Sequence, residues 1–329
     1  MKQKVNIVTV NYNSGEDTIA CIRSIQKSTY KNYQVFIVDN FSNDDSLEKL
    51  GQACIRMEVS YVFVNAEDLN DKSEVRDAIS SKEIVIIRST QNNGFASGNN
   101  IALKFLLNNR QDEFVWLLNP DTEIENTVME DLIDISYKKQ KIITGNLIHF
   151  YDNPKDIMYC GGFKVKKLAH GITSIKNYEN LKKIDAIAGA SLFTPLTTFK
   201  DIGLLPEQYF MYWEETDFCT RAKRRGYKFE VNCKSIIYDH VERTTKNSFL
   251  KEYLYLLNGL RFYKKYYPFN LPIIFVTSLF KLLKASLRKN KIKKRAILFG
   301  IIDFLRIVTG QKINIKNRIN SQLDNIEIQ

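Results

Sequence analysis

The chain has 329 residues, 44% hydrophobic and 26% charged, enough apolar material for one large domain or two small ones at about 150 residues per domain. With 14 Gly and 6 Pro against 20 Phe and 17 Tyr, disordered, collagenous and small disulfide-stapled classes are excluded. The formal charge of +11 is uneven: residues 241–329 hold 18 Lys and Arg against 5 Asp and Glu, so the first 240 residues sum to −2, which argues against a nucleic-acid-binding main body.

Val5–Asn11 is β-branched and apolar and is followed by the turn Asn13-Ser14-Gly15, then by helical spacing over Asp17–Gln26. Val35–Asp39 reads as a second strand and Asp45–Ala53 as a helix. Tyr61–Val64, Ile84–Arg88 and Phe114–Leu118 are further strands, with helices over Ala96–Leu107 and Asn126–Tyr137. This alternation predicts an α/β fold with a mainly parallel sheet. The polar stretch Asn65–Lys82 has no clear pattern. After residue 140 the segments shorten, predicting antiparallel additions: strands at Ile142–Asn146, Ile184–Ala188 and Ser235–Tyr238, and a helix over Glu215–Arg225 ended at Gly226. The five cysteines are odd in number and form no CxxC pair, so neither a zinc site nor a disulfide framework is expected and a reducing cytoplasm fits. The N-terminus lacks a signal-peptide pattern. No apolar run is expected to span a membrane, the longest, Leu271–Phe280, being stopped by Lys281.

Chemistry is expected at strand ends. Asp39 closes the second strand, where an α/β sheet presents its ligand crevice, and can accept from a base or ribose; an Asx turn or a helix cap at Asp44 and Asp45 is the competing reading of this segment. Asn92–Asn100 places four Asn and two Gly ahead of a helix, suited to a sugar or phosphate at a helix N-terminus and equally to a capped turn. Asp121, after Leu118-Asn119-Pro120, is an oxygen ligand for a hard divalent cation or a turn Asp. Trp213-Glu214-Glu215-Thr216-Asp217 gathers three carboxylates beside Tyr209, Phe210, Tyr212 and Trp213; Glu214 and Asp217 would share a helix face, and an acid near apolar rings is tuned towards base catalysis. The bland alternative is compensation of the helix dipole. His240 ends another apolar strand and is a possible metal ligand; His149 and His170 have no such context.

In this order the segments resemble glycosyltransferase family 2, especially its bacterial rhamnosyltransferase-like members. The matching pieces are Val8-Thr9-Val10-Asn11-Tyr12-Asn13, Val38-Asp39-Asn40-Phe41-Ser42, Asn92–Asn100, Leu118-Asn119-Pro120-Asp121, Cys160-Gly161-Gly162, Gly189-Ala190-Ser191 and Glu214-Glu215-Thr216-Asp217. The resemblance covers about residues 4–265 and implies a GT-A fold, a Rossmann-like nucleotide-binding half fused to an acceptor-binding half. It implies a nucleotide-sugar site built from Thr9, Asn11, Tyr12, Asp39, Asn93, Gly94, Asn99, Asn119 and Asp121, with acceptor contacts from Tyr212 and Trp213. Mg2+ or Mn2+ would sit on Asp121 and His240. Catalytic acids would be Glu215 as the base, Glu214 and Asp217, acting by inverting displacement. Asn119 stands where the family's first acidic ligand usually is, and Glu215 where its base usually is. A non-catalytic protein of the same fold is the alternative. A nucleotidyltransferase would carry Lys or Arg in the loop Asn11–Asp17, which has neither.

Residues 1–245 are expected as the catalytic domain and 246–329 as a basic helical region. Between Pro272 and Arg288 the polar positions Thr277, Lys281, Lys284 and Arg288 predict a narrow basic stripe on a broadly apolar helix. A run of Lys and Arg from Lys289 to Arg295 follows. This suits an anionic membrane surface at the cytoplasmic face of the plasma membrane, near a lipid-linked glycan acceptor, with a helical hairpin packed on the catalytic domain as the alternative.

Overall fold

The computed structural model describes residues 3–69, 73–137, 139–240, 248–313 and 315. Its first compact unit lies within Met1–Val165 and Thr173–Thr244 and its second within Lys166–Ile172 and Thr245–Gln329. The expected division at 245 omits the short segment Lys166–Ile172, which belongs with the helices because its backbone is held by their side chains, as described below.

The first unit opens with β1 (Val5–Asn11), α1 (Gly15–Gln26), β2 (Tyr33–Asp39), α2 (Ser46–Arg56), β3 (Tyr61–Asn65), α3 (Ser73–Ser80), β4 (Ile84–Arg88), α4 (Phe95–Asn109) and β5 (Phe114–Leu118). Short elements follow: β6 (Thr122–Ile124), α5 (Val128–Ser136), β7 (Ile142–Phe150), β8 (Ile157–Cys160), β9 (Gly162–Val165), β10 (Ile172–Ser174) and β11 (Ala186–Ile187). The unit closes with β12 (Ser191–Pro195), α6 (Thr197–Ile202), α7 (Glu214–Arg224) and β13 (Lys228–Asp239). The main sheet runs β3-β4-β2-β1-β5-β12-β7-β13-β6, with β8 beside β7. Its first five strands are parallel. β12 is antiparallel to β5 and β7, and β13 runs parallel to β7.

The two-residue period of the strands divides the core. Val8, Val10, Phe36, Val38, Val85 and Ile87 pack with Leu103 and Phe105 of α4 on one face. Val5, Ile7, Val35, Ile37, Ile84 and Ile86 pack with Ile19 and Ile22 of α1 and Leu132 of α5 on the other. Each such fully buried side chain contributes about 1.5–3 kcal/mol. Parallel strands all deliver their carboxyl ends to the same edge, so Asn11, Asp39 and the turn after Leu118 meet there.

β13 is interrupted between Asn232 and Ile236 by an irregularity. It is fixed locally, Asn232 Nδ2 donating to Ser235 Oγ at 2.9 Å and the Lys234 amide to Asn232 Oδ1 at 3.0 Å. The bend lets Ile237–Asp239 pair with β6 as well as β7 and so brings His240 opposite Asp121.

In the second unit α8 (Ser248–Tyr266), α9 (Leu271–Leu287) and α10 (Lys291–Val308) pack on one another. The Tyr263 hydroxyl contacts the carbonyls of Lys166, Ala169 and Gly171. Buried Asp303 accepts from Tyr253 at 2.9 Å and Arg306 at 3.1 Å. Helix α9 runs on through Lys281 as expected, and the Lys281 ammonium turns inward to the His170 carbonyl, 2.9 Å away. Burial and neighbouring Lys166 lower its pKa to about 8. The segment Pro268–Leu287 is thus long and apolar enough to cross a membrane by length and composition, contrary to expectation, although most of its surface is unburied. Thr277 also points inward, accepting from the His170 amide at 3.1 Å, so the expected basic stripe is in its first half an inner face. His170 is a buried structural group held neutral, burial and Lys281 lowering its pKa to about 3.

Candidate active site

At the carboxyl end of β1 and β2, Asn11 Nδ2 donates to Asp39 Oδ1 at 2.8 Å and the Asn11 carbonyl accepts from the Asn40 amide at 2.8 Å. Asp39 also accepts from the Ser42 hydroxyl at 2.5 Å and the Ser42 amide at 3.1 Å. Asp39 is therefore buried and closes the turn after β2. Thr9 Oγ1 and Asn40 Oδ1 are buried with no hydrogen-bond partner among the described residues, an arrangement that disfavours an empty crevice. Tyr12 is exposed beside them.

The loop before α4 reaches the same edge. Asn40 Nδ2 donates to Asn92 Oδ1 at 2.9 Å, which also receives the Gly94 amide at 2.9 Å. Gly94 has φ +88°, and a Cβ there would collide with the backbone of Phe210, while the Phe95 amide donates to the Phe210 carbonyl at 2.8 Å. Asn93 is half-buried on this loop. Asn99, expected on the donor side, is buried in α4 and donates to the Phe95 carbonyl one turn back at 3.0 Å. Asn100 likewise anchors the chain at Leu205.

Phe210, Tyr212 and Trp213 all have positive φ, 63°, 67° and 78°. Such conformations in non-glycine residues store about 1–3 kcal/mol each and cluster at functional sites. Tyr212 is half-buried, whereas Trp213, expected beside it as an acceptor contact, is 2% exposed.

Helix α7 begins immediately after this turn. Glu214 is buried, with Oε2 lacking a hydrogen-bond partner among the described residues, and burial together with Glu215 pushes its pKa well above the carboxylate range. Glu215 is partly exposed, and desolvation raises it to about 7. Gly189 lies against it, with the Phe95 ring on the other side. Asp217 faces the other way, fully buried, accepting from Tyr209 at 2.9 Å and Arg221 at 3.0 Å. Arg221 continues to the carbonyls of Ile202 and Leu204. Asp217, expected among the catalytic acids, is thus placed behind the strained turn, bound to Tyr209 and Arg221.

Asn119 sits at the end of β5 with its backbone paired to Ala190 and Thr122. Beyond it, Asp121, Glu123 and Glu125 alternate along β6, and the antiparallel register sets Glu123 opposite Tyr238. The His240 amide donates to the Asp121 carbonyl at 2.9 Å, so both side chains project from one face. Glu125 accepts from the Tyr238 hydroxyl at 3.0 Å and the Ile236 amide at 2.8 Å. Glu123 lies 3.0 Å from His240 Nε2, Tyr151 stacks on the imidazole at 3.6 Å, and His240 Nδ1 is buried with no hydrogen-bond partner among the described residues.

That orphaned nitrogen beside Asp121 fits a divalent cation. No group of three or more His, Cys, Asp or Glu among the described residues could hold one, so remaining ligands would come from phosphate oxygens and water. A cleft of about 340 Å³ opens against His240, with Tyr151, Asp152, Asp156 and Asp239 in its wall. The Tyr159 phenol lies within electrostatic reach of Asp239, Asp121 and Glu215, its pKa driven up by burial and then by those charges. Tyr159, Glu123 and Glu125 escape notice in the sequence, although the alternation of acids after Pro120 signals the latter two. His149 contacts the Pro154 carbonyl at 2.6 Å.

Residues 6–194 match the family model Glycosyl transferase family 2. The chain is 28% identical over 204 residues to a low-salt glycan biosynthesis hexosyltransferase of Haloferax volcanii, covering 61% of this chain and 65% of the relative. It is 25% identical to an uncharacterized glycosyltransferase of Rickettsia typhi, covering 78% and 70%. Among solved structures it resembles a Pyrobaculum calidifontis mannosyltransferase in complex with GDP-Man and Mn2+, with TM-score 0.56, 11% identity and 93% and 88% coverage. It also resembles GalNAc-T7 with UDP, GalNAc and Mn2+, with TM-score 0.54, 15% identity and 80% and 48% coverage. The fold is therefore GT-A, and the chain belongs to glycosyl transferase family 2.

Proposed function

We propose that the chain transfers a hexosyl unit, with inversion, from a UDP- or dTDP-linked donor to a hydroxyl of a lipid-linked glycan acceptor in bacterial cell-surface polysaccharide synthesis, dTDP-rhamnose being the first donor to test. The observation that carries this reading is Glu215: partly exposed at the start of α7, beside a strained aromatic turn, with its pKa raised to about 7. It can take the proton from an acceptor hydroxyl near neutral pH. The hydroxyl oxygen then attacks the anomeric carbon from the face opposite the nucleotide, and the bond to the diphosphate oxygen breaks with its electron pair. Thr9, Asn11, Tyr12, Asp39, Asn93, Gly94 and Asn119 would border the donor, with Tyr212 towards the acceptor. Glu214, deeper and with its pKa raised by burial and by Glu215, would border Glu215. Mg2+ or Mn2+ held by Asp121 and His240 would neutralise the departing diphosphate.

The helical unit supports a place at an anionic membrane surface on the cytoplasmic side. Phe269, Ile273, Val276, Phe280, Leu283 and Leu287, spaced by fours and threes, are all exposed, Phe269 by 96%. Lys284, Arg288, Lys289, Lys291, Lys294 and Arg295 are exposed beside them. Inward-facing Lys281 and buried Ile274, Ser278 and Ala285 favour a helix lying on the bilayer over one crossing it.

The test is a panel of UDP-, dTDP- and GDP-sugars scored by thermal stabilisation and by hydrolysis, with and without Mn2+. Metal-dependent stabilisation and turnover with one UDP- or dTDP-sugar supports the reading. A folded protein that responds to none overturns it.

A further inference from the structure

We infer that Glu123 is a positioning residue for the metal site, fixing His240 in the tautomer whose Nδ1 lone pair faces the cation; this rests on the metal reading proposed above. An ionised carboxylate can only accept, so the 3.0 Å contact with Glu123 Oε1 requires a proton on Nε2. In a neutral imidazole Nδ1 is then an acceptor, and it is the atom that is buried without a hydrogen-bond partner among the described residues. Tyr151 holds the ring face at 3.6 Å and 28°, Glu123 holds the Nε2 edge, and the Nδ1 edge carries the unpartnered atom. The backbone makes the arrangement reproducible. Glu123 faces Tyr238 across the β6–β13 ladder, and His240 lies two residues beyond Tyr238 on the same face.

Of the three acids on this edge, Glu125 is committed to Tyr238 and Ile236, and Asp121 stands directly across from His240. Glu123 is the acid in contact with the imidazole. A carboxylate behind a metal-binding histidine fixes ring orientation and raises ligand basicity, and its loss typically weakens metal binding by about 10- to 100-fold.

The experiment uses the full chain and two readouts. Mn2+ binding is titrated by the electron paramagnetic resonance signal of the free ion for wild type, Glu123→Ala, Glu123→Gln and His240→Ala, each checked by thermal unfolding. Imidazole nitrogen-15 spectra, which distinguish the two neutral tautomers from the doubly protonated ring, are recorded without metal; with three histidines in the chain, His240 is assigned by its loss in His240→Ala. The inference predicts the Nε2–H tautomer in wild type, its loss in Glu123→Ala, and Mn2+ binding about 10- to 100-fold weaker there. Glu123→Gln, whose amide oxygen can still accept the Nε2 proton, retains the tautomer and most of the affinity. If wild type binds Mn2+ and His240→Ala weakens it, while Glu123→Ala matches wild type in affinity and tautomer, the inference alone is overturned. If folded wild type takes up no Mn2+, the metal reading fails and the inference with it.

Discussion

Gly94 and Phe210 meet backbone to backbone, the glycine at φ +88° leaving no room for a Cβ against the Phe210 carbonyl group. The contact joins the loop before α4 to the strained turn before α7, two segments more than a hundred residues apart. Gly94→Ala should therefore both strain its own backbone, by about 1–3 kcal/mol, and push the turn away. A lower thermal midpoint together with weaker donor binding is expected; a variant as stable as wild type would show that the apposition is dispensable.

Asp217 accepts from Tyr209 and Arg221 with no solvent exposure. Asp217→Ala leaves the Arg221 guanidinium half-paired and frees Tyr209, a loss of about 2–4 kcal/mol measurable by denaturant unfolding. Turnover should fall with the folded fraction and with disorder of the Tyr209–Trp213 turn, so stabilising conditions should restore part of it. A catalytic role would instead give a stable, dead protein.

Glu215 fixes the sign of the pH dependence. A base works only when ionised, so turnover should rise with pH through about 7, the value to which desolvation raises this acid. Stability should run the other way. Between the ordinary carboxylate range and about 7 the folded chain keeps a proton that the unfolded chain has released, so the contribution of this group falls as pH rises across that window. Comparing urea midpoints of wild type and Glu215→Gln at either end of the window isolates this contribution; parallel curves would contradict it.

The outward face of α9 should behave as a lipid contact. Phe280→Glu with Leu283→Glu removes two exposed apolar side chains and should weaken binding to phosphatidylglycerol vesicles about 10-fold or more. Raising salt should weaken the wild type by screening the run Arg288–Arg295. Equal sedimentation of both proteins with vesicles at low salt would argue for another use of this face.

The parallel half of the sheet was legible because β4 and β5 are almost wholly apolar runs and β1 and β2 are β-branched and apolar with few polar interruptions, as strands buried on both faces require. β6 was not: three residues, two of them polar, form a strand only because the β13 irregularity turns that chain towards them. Likewise the three acids of Glu214–Asp217 were visible as a group, but their division of labour was not. Asp217 is bound on both sides by Tyr209 and Arg221, and Trp213, in a left-handed backbone, is buried, neither of which the order of residues discloses. In α9, periodicity identified the stripe Thr277–Lys281–Lys284–Arg288 but not which side packs. Lys281 and Thr277 face inward because backbone groups of His170 offer them partners.

The central claim is that Glu215 is the base, and donor turnover by Glu215→Gln, with donor affinity measured on the same protein, tests it most directly. The account predicts unchanged donor binding, unchanged folding and hydrolysis or transfer reduced by about 10²–10⁴. Undiminished turnover in a folded Glu215→Gln protein would contradict it and move the base elsewhere in the site.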